Sequence, residues 1–493
     1  MAVISKVAQL EISRLLGYAI VLMIMVVLAA PQEAGALPAF ARQTGQNCVA
    51  CHAGGQFPEL TPYGRMFKLT GYTIGARTMP LAVMGVLNYA KVADTSKSDN
   101  PAADFQKNGR PVFSSGSLFM AGKITDNLGL FSQITYDNFA TNSDGNFAGT
   151  SQLDNFDLRY ADRFVDASRD LIVGVSLNDN PSVSDPWNTA AAWMQYVPAA
   201  SLTSHQFTDA NTPFPGFPAG SNIAGVTTYL FWKKTFYAEL GTYKTANQAL
   251  SFMSAGVDKE NKTRLSGSNN PYWRLALTHE WGPNNIMIGT SSMVAHIYDG
   301  GTDTSDPGNL GSYKTTGVDA QYQYILDPDT VTAQFAYSRT VSNYSQNALN
   351  AATGTSPFVL ADGSPLATPN PSDTTNVFRA KLSYIYRAKF GGSLAYFNQT
   401  GTTNTLNQTS GLDPSCGGTV CSDSSTRVTG NLSGNPGQRG LTYEAFWLPV
   451  QNMRVGLQYT AYSIYNGATN NYDGFGRNAR DNNTLFAYVW FAY

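Results

Sequence analysis

From about residue 80 onward, apolar and polar residues alternate in short runs. Val318, Ala320, Tyr322 and Tyr324 alternate with Asp319, Gln321 and Gln323. Val331, Ala333, Phe335 and Tyr337 alternate with Thr332, Gln334 and Ser338, and Phe378, Ala380, Leu382 and Tyr384 with Arg379, Lys381 and Ser383. A period of two places successive side chains on opposite faces of a β-strand. Here one face is aliphatic and aromatic, the other polar and charged. The pattern predicts about 16 strands, an even number of the kind bacterial outer-membrane barrels use. They start near Pro80, Val112, Leu128, Gln152, Arg169, Ile223, Phe236, Tyr272, Ile286, Tyr313, Thr330, Thr375, Gly392, Gly440, Arg454 and Asn483.

The connections fall into two classes. Every second one is tight: Thr125-Asp126-Asn127, Val165-Asp166-Ala167, Lys233-Lys234-Thr235, Gly282-Pro283-Asn284, Asp327-Pro328-Asp329, Ala388-Lys389-Phe390 and Pro449-Val450-Gln451-Asn452. Between them run long connections rich in Asn, Ser, Thr, Gly and Asp, for example Asn178 to Asn222, Thr340 to Thr374 and Thr402 to Arg439. Tight turns at one end and long loops at the other are the habit of outer-membrane barrels, whose short turns and termini face the periplasm and whose long loops face outward. A soluble sandwich or propeller predicts no such alternation, and no fixed blade-like repeat is present. The chain closes on Leu485 to Tyr493, an aromatic strand similar to the recognition signal of outer-membrane barrel proteins. The fold class expected over residues 80–493 is therefore all-β, a transmembrane antiparallel barrel in outer-membrane lipid.

The first residues read differently. Lys6 and Arg14 precede an apolar run from Leu15 to Ala30, and Ala34-Gly35-Ala36 is a small-residue cleavage site. This is the pattern of a signal peptide over residues 1–36, with a mature start near Leu37. The alternative is a retained anchor, for which a run of about 16 residues falls short of the roughly 20 a helical span needs. Only 13% of residues are charged and the formal net charge is −2, which argues against nucleic acid as a partner.

Four cysteines form two pairs. Cys48-Val49-Ala50-Cys51-His52 has the spacing of a c-type haem attachment site. Each thiol adds to a haem vinyl group, and the adjacent imidazole becomes an axial ligand of the iron. One covalently attached haem c is expected, held by Cys48 and Cys51 with His52 as the axial metal ligand. A thioredoxin-like dithiol would need a βαβ context that is missing. Cys416 and Cys421 lie in a Gly- and Pro-containing stretch and read as a structural disulfide stapling a loop. Distal-ligand candidates are Met66, Met79 and Met84, each of which has ordinary packing as its alternative. Among the remaining histidines, His205 falls in a long loop. His279 and His296 fall at opposite ends of a hairpin, and His279 shares parity with Trp273, Leu275 and Leu277, as an interfacial girdle residue would.

The haem segment, residues 37–79, has roughly 43 residues, and domains this small rarely bury a core unaided. A barrel of about 16 strands leaves an aqueous lumen. The two facts together place the segment inside the barrel as a plug. Charges of both signs on lumen-facing positions (Asp157, Arg159, Asp319, Arg379, Lys381, Glu444, Arg454) suit a wet interior. The loop carboxylates Asp299, Asp303 and Asp306 suit attraction of a hard cation, with a plain solvated loop as the alternative.

The stretch from Pro38 to Gly45, the Cys48-x-x-Cys51-His52 motif, and Phe57-Pro58-Glu59-Leu60-Thr61-Pro62-Tyr63-Gly64-Arg65-Met66-Phe67-Lys68-Leu69-Thr70-Gly71-Tyr72-Thr73 together resemble the fused monohaem cytochrome–porins of iron-oxidising bacteria. The motif match covers residues 38–73; the rest agrees in architecture, length and C-terminal signature. The resemblance implies an outer-membrane oxidoreductase of the Fe(II):cytochrome c type, which oxidises extracellular Fe(II) or another redox donor and passes electrons to a periplasmic c-type cytochrome or similar carrier. Thr61 and Tyr63 stand where the iron oxidases usually carry Asn and Phe, which suits a sister branch with a different electron partner. Two other functions stay open: a diffusion porin with a haem-bearing plug or gate, and a conduit that exports electrons to an extracellular acceptor.

Overall fold

Sixteen antiparallel strands pair into one closed ring in which every strand neighbours the next in sequence and the last neighbours the first. They are β1 Leu81–Val92, β2 Pro111–Lys123, β3 Leu128–Asp137, β4 Thr150–Val165, β5 Asp170–Asn178, β6 Ile223–Trp232, β7 Phe236–Thr245, β8 Pro271–Trp281, β9 Asn284–Tyr298, β10 Leu310–Leu326, β11 Asp329–Asn343, β12 Ser372–Tyr386, β13 Phe390–Gly401, β14 Gln438–Val450, β15 Met453–Ile464 and β16 Thr484–Ala492. Each begins within three residues of its predicted start. This computed structural model describes residues 38–55, 58–94, 109, 111–138, 149–187, 223–254, 264–267, 270–354, 369–407, 431–474 and 476–493. The signal peptide, His205 and the Cys416–Cys421 pair lie outside the described residues.

The alternation is inside-out. Leu240, Leu277 and Ile288 on the outer face are 61%, 59% and 61% exposed, whereas Gln321, Gln323 and Thr332 on the inner face are 1%, 0% and 3% exposed. An apolar outer wall with no free strand edge is the form in which strands can cross hydrocarbon, because every backbone donor and acceptor is paired within the ring. Large aromatic side chains are exposed beside the short turns, among them Trp232, Trp281, Tyr386, Phe390 and Trp447. His279 stacks on Trp281 with ring centroids 5.4 Å apart. This is the aromatic girdle of a membrane barrel, with His279 in it as its parity predicted.

Ring closure fixes the ends. β1 pairs with β16 from Met84↔Ala492 to Val92↔Thr484, and Leu81 lies opposite Met120 near the short turn that follows β2. Both the first strand and the last residue therefore open at the short-turn end, where the preceding segment enters the lumen.

That segment forms three short helices, α1 Pro38–Thr44, α2 Cys48–Cys51 and α3 Pro62–Leu69. In α3, Pro62 occupies the first turn and the Thr61 side chain caps it by accepting from Gly64 N–H at 3.1 Å. Thr61 thus satisfies one of the free N–H groups of the first turn.

The wall grips the segment with buried polar contacts. Arg65 donates to Gln323 Oε1 at 3.1 Å and to Asn285 Oδ1 at 2.9 Å. Lys381 Nζ meets Glu59 Oε1 at 2.8 Å. The Tyr72 hydroxyl donates to Asp157 Oδ2 at 2.6 Å, and the Tyr229 hydroxyl donates to the carbonyl of Leu69 at 2.7 Å. An aromatic layer formed by Phe40, Phe67 and Tyr72 of the segment continues into Phe131 and Phe119 of the wall.

Two expectations are corrected here. The connection after β5 reads in sequence as a plain outer loop, but its first part, Asp179 to Trp187, turns into the lumen. A one-turn helix, α4 Pro181–Ser184, is capped by Asn180, whose side chain accepts from Val183 N–H at 2.9 Å. Beyond it, the Asp185 carbonyl accepts from Lys68 Nζ of the segment at 2.8 Å. Trp187 is 1% exposed and meets Tyr237 edge-on at 5.4 Å.

The second correction concerns the lumenal charges, which are not solvated. Asp157 and Arg159 are wholly buried and paired at 2.7 Å; Arg274 bridges Asp319 at 2.6 Å and Asp185 at 3.3 Å; Arg454 meets Glu444 at 2.7 Å. The segment and the inward loop cover these charges, so each is neutralised by a partner rather than by water.

Removing one member of such a pair strands the other. Arg159→Ala is expected to cost about 3–5 kcal/mol of stability, and the double variant Arg159→Met with Asp157→Leu markedly less. Unfolding in urea, followed by the heat-dependent gel shift of a folded barrel, checks both.

Candidate haem attachment site

Cys48 and Cys51 occupy one helical turn, three residues apart, so their thiols share a face of α2. His52 follows at the C-terminal cap in extended conformation (φ −119°, ψ 130°), and its N–H closes the turn on Cys48 O at 2.8 Å. The chain then doubles back. His52 bridges Leu60, Ala53 N–H donates to Glu59 O at 2.8 Å, and Thr61 N–H donates to Cys51 O at 2.9 Å. The next helix presses against the motif: a Cβ added at Gly64 would lie 2.2 Å from Cys51 O. Only glycine permits that approach, and it locks α3 to α2.

The wall completes the enclosure. Cys48 is fully buried, and its Sγ lies 3.6 Å from Gln451 O in the short turn between β14 and β15. Gly54 and Gly55 pack against Ile385 and Leu448 of the wall. Burial pushes the Cys48 thiol up to about 12, the neighbouring Cys51 adding to the effect, and pushes Cys51 up to about 11. Among the described residues, no three His, Cys, Asp or Glu side chains are grouped so as to hold a metal ion. The donor set fits a covalently attached haem: two thiols on one turn, an imidazole beside them, and an apolar wall around them.

The distal candidates sit in three different settings. Met66 packs against the cluster that holds Leu69, Ile172, Trp187 and Tyr237. Met84, on β1, packs against Ala39, Ala82 and Phe119. Met79 is 66% exposed just before β1, and its carbonyl accepts from Arg42 at 3.5 Å. His296 is half-buried, and its backbone N–H donates to Asn270 at 2.8 Å. His279 is on the outer girdle, facing away from the lumen.

The loop carboxylates have structural work. Asp303 accepts from the N–H and hydroxyl of Ser305 at 2.8 and 2.6 Å, and Asp306 accepts from Gly308 N–H at 2.8 Å and Asn347 at 2.7 Å. Asp299 accepts from the Tyr313 hydroxyl at 2.6 Å. Sequence reasoning missed Lys68, Asp185 and Trp187, which join the segment to the inward loop. The one local signal was Asp185-Pro186-Trp187, a large aromatic in an otherwise polar stretch.

The sequence matches no protein-family model and no curated protein. Its structure is similar to those of solved outer-membrane proteins, at low identity. The outer-membrane channel DcaP of Acinetobacter baumannii is 13% identical, with TM-score 0.40, over 84% of this chain and 96% of that one. A loop L8 deletion mutant of OmpT, an outer-membrane protein of Vibrio cholerae, is 9% identical, with TM-score 0.41, over 84% and 98%. OmpF of Salmonella typhi, in complex with daunomycin, is 11% identical, with TM-score 0.40, over 84% and 97%. Likeness of this degree adds nothing to what the strand pairing already establishes, a porin-like barrel of sixteen strands.

Cys51→Ser and His52→Ala are expected to abolish normal haem incorporation while leaving the heat-dependent gel shift of the barrel intact, since no strand uses these residues. Gly64→Ala is expected to reduce haem loading severalfold by pushing α3 off the Cys51 carbonyl. A pyridine haemochrome spectrum, normalised to folded barrel, measures all three, and full covalent loading of Cys51→Ser would refute the attachment model.

Proposed function

We propose that this chain is an outer-membrane electron conduit of the Fe(II):cytochrome c oxidoreductase type, carrying one haem c at Cys48, Cys51 and His52. The short turns and both termini face the periplasm and the long loops face outward. The donor is extracellular Fe(II), and the acceptor is a periplasmic c-type cytochrome or similar carrier. The observation that carries this reading is the lumen crossed by buried contacts. Wall, segment and inward loop are joined through Tyr72–Asp157–Arg159 and Lys68–Asp185, and the charges there are wholly or almost wholly buried. A diffusion pore needs hydrated wall charges; a conduit needs a sheltered group held at a fixed place in the wall.

The hydrocarbon core of a bilayer is about 30 Å thick, too far for an electron to pass in one step. A bound haem supplies a one-electron site between the two faces. The chain's own residues do the rest. Cys48 and Cys51 fix it covalently, and His52 offers its imidazole from a backbone pinned on both sides. Arg65, Lys381 and Tyr72 lock the segment to the wall so that its depth cannot drift. Ile385, Leu448 and the aromatic layer around Phe67 exclude water. The long loops face the donor, and the exposed rim around Met79 faces the carrier.

Two measurements separate this reading from its alternatives. Purified holoprotein should show a c-type spectrum that Fe(II) reduces; reduction by dithionite but not by Fe(II) removes iron as donor. In a planar bilayer it should conduct little, because the segment is fastened to the wall; a large steady conductance would instead establish a diffusion porin. The haem potential then fixes whether electrons enter or leave.

A further inference from the structure

The outer wall is apolar through its middle, but at the loop end of β10 to β12 its chemistry changes. Toward the loops, the exposed positions on the outer face of β10 run Val318, Thr316, Lys314, and those on β11 run Phe335, Tyr337, Arg339. Strand pairing sets these side chains beside one another. Arg339 lies opposite Thr316 of β10 and Asn376 of β12. Lys314 lies opposite Val341 of β11 and Val294 of β9, one diagonal step from Arg339. On one face of a sheet, directly opposite Cβ atoms are about 5 Å apart and diagonal neighbours about 7–8 Å. On stems as long as those of Lys and Arg, both cationic heads reach a single group lying between them.

The patch offers donors and no carboxylate. Asn376 Oδ1 accepts from the Tyr337 hydroxyl at 3.0 Å, which leaves the amide N–H groups of Asn376 beside Arg339. The only carboxylates on β9 to β13 are Asp319, Asp329 and Asp373. Asp319 and Asp373 are buried on the inner face. Asp329 opens β11 at the short-turn end, where its Oδ1 accepts from the Tyr384 hydroxyl at 2.7 Å. No ion pair among the described residues includes Lys314 or Arg339. Just below the two cations, Val318, Phe335 and Tyr337 are exposed, surface of the kind acyl chains cover. Cations at the edge of such a wall are costly against hydrocarbon and favourable against an anionic headgroup layer.

We infer that Lys314, Arg339 and Asn376 form a docking site for the phosphate group of a membrane lipid in the leaflet on the loop side, with the acyl chains lying along Val318, Phe335 and Tyr337. Charge complementarity selects the occupant. A guanidinium takes a phosphate through two parallel hydrogen bonds, and an ammonium adds a point charge. A zwitterionic headgroup brings a cation of its own against this pair, and a free phosphate has no chains for the apolar surface below it. The inference goes beyond the proposed function and rests on it in one respect: with the long loops facing outward, the lipid is a phosphorylated glycolipid of the outer leaflet.

The test is native mass spectrometry of the full, haem-loaded protein in detergent, titrated with purified lipid A and with its dephosphorylated form. The folded chain should retain lipid A and bind the dephosphorylated form more than about tenfold more weakly. Lys314→Gln and Arg339→Gln should each weaken lipid A about fivefold, and the double variant should fall to the dephosphorylated level. Arg339→Lys, which keeps the charge, should lose less than Arg339→Gln. Lys389→Gln, which removes an exposed cation at the short-turn end, should change nothing. All these side chains stand outside the barrel, so the gel shift of the folded protein and the haem spectrum should match wild type. Equal retention of the two forms of lipid A, or retention that the double variant leaves unaltered, overturns the site. So does a loss through Lys389→Gln as large as that through Arg339→Gln. If lipid A is held through Lys314 and Arg339 while Fe(II) fails to reduce the haem, the lipid site stands and the conduit reading falls.

Discussion

The governing constraint is that an N-terminal segment of about forty residues has too little apolar surface to make a core of its own. It needs walls, and the walls in turn need a filling. A ring of sixteen strands in lipid satisfies every backbone group but leaves a wide, polar interior. Here each deficiency answers the other. Cys48, Leu69 and Phe67 are buried by strands, while Asp157, Asn285 and Gln323 on those strands find partners in Tyr72 and Arg65. The segment and the barrel consequently pack as one unit.

Charge pairing, in place of hydration, therefore organises the lumen. Asp157–Arg159, Arg274–Asp319 and Arg454–Glu444 would each be costly if one partner were lost, and cheap replacements would be apolar. Retaining polar pairs gives orientation: an ion pair tolerates little sliding, whereas an apolar contact tolerates a good deal. A segment held in this way is fixed in position along the lumen, at the cost of desolvating the paired charges. The inward loop adds a third anchor through Lys68 and Asp185, so the segment is held from the strands and from above.

Much of this was legible in the sequence because a membrane barrel writes its pattern twice, once in period-two alternation and once in alternating turn lengths. The positions of β6, β7 and β3 follow directly from those two signals, and the burial of Gln321 and Gln323 against the exposure of Val318 confirms their sense. The Cys48-x-x-Cys51-His52 spacing is plain in the sequence, and the structure adds that both cysteines lie on one helical turn. What could not be read was anything that depends on contacts distant in sequence. Lys68 and Asp185 are 117 residues apart, and Asp185 sits in a stretch whose composition is that of any polar loop. The same holds for the lumenal charges. Their side of the strand was clear, but their dryness is a property of what fills the barrel. A β-bulge in β4, where Asp154 is one residue more than the ladder with β3 takes up, escaped because one extra residue leaves the alternation on either side intact.

Closure of the ring by its first and last strands has a consequence for how the molecule is made. β1 comes directly after the N-terminal segment, and its partner β16 is the last strand in sequence. The ring therefore cannot close until β16 has been made, and at that moment the segment must already be lying where the wall will meet it. Cys48 has no exposed surface once the turn at Gln451 is in place. Any reagent for that thiol must reach it while the strands are still apart, so access to Cys48 ends when the seam between β1 and β16 is sealed.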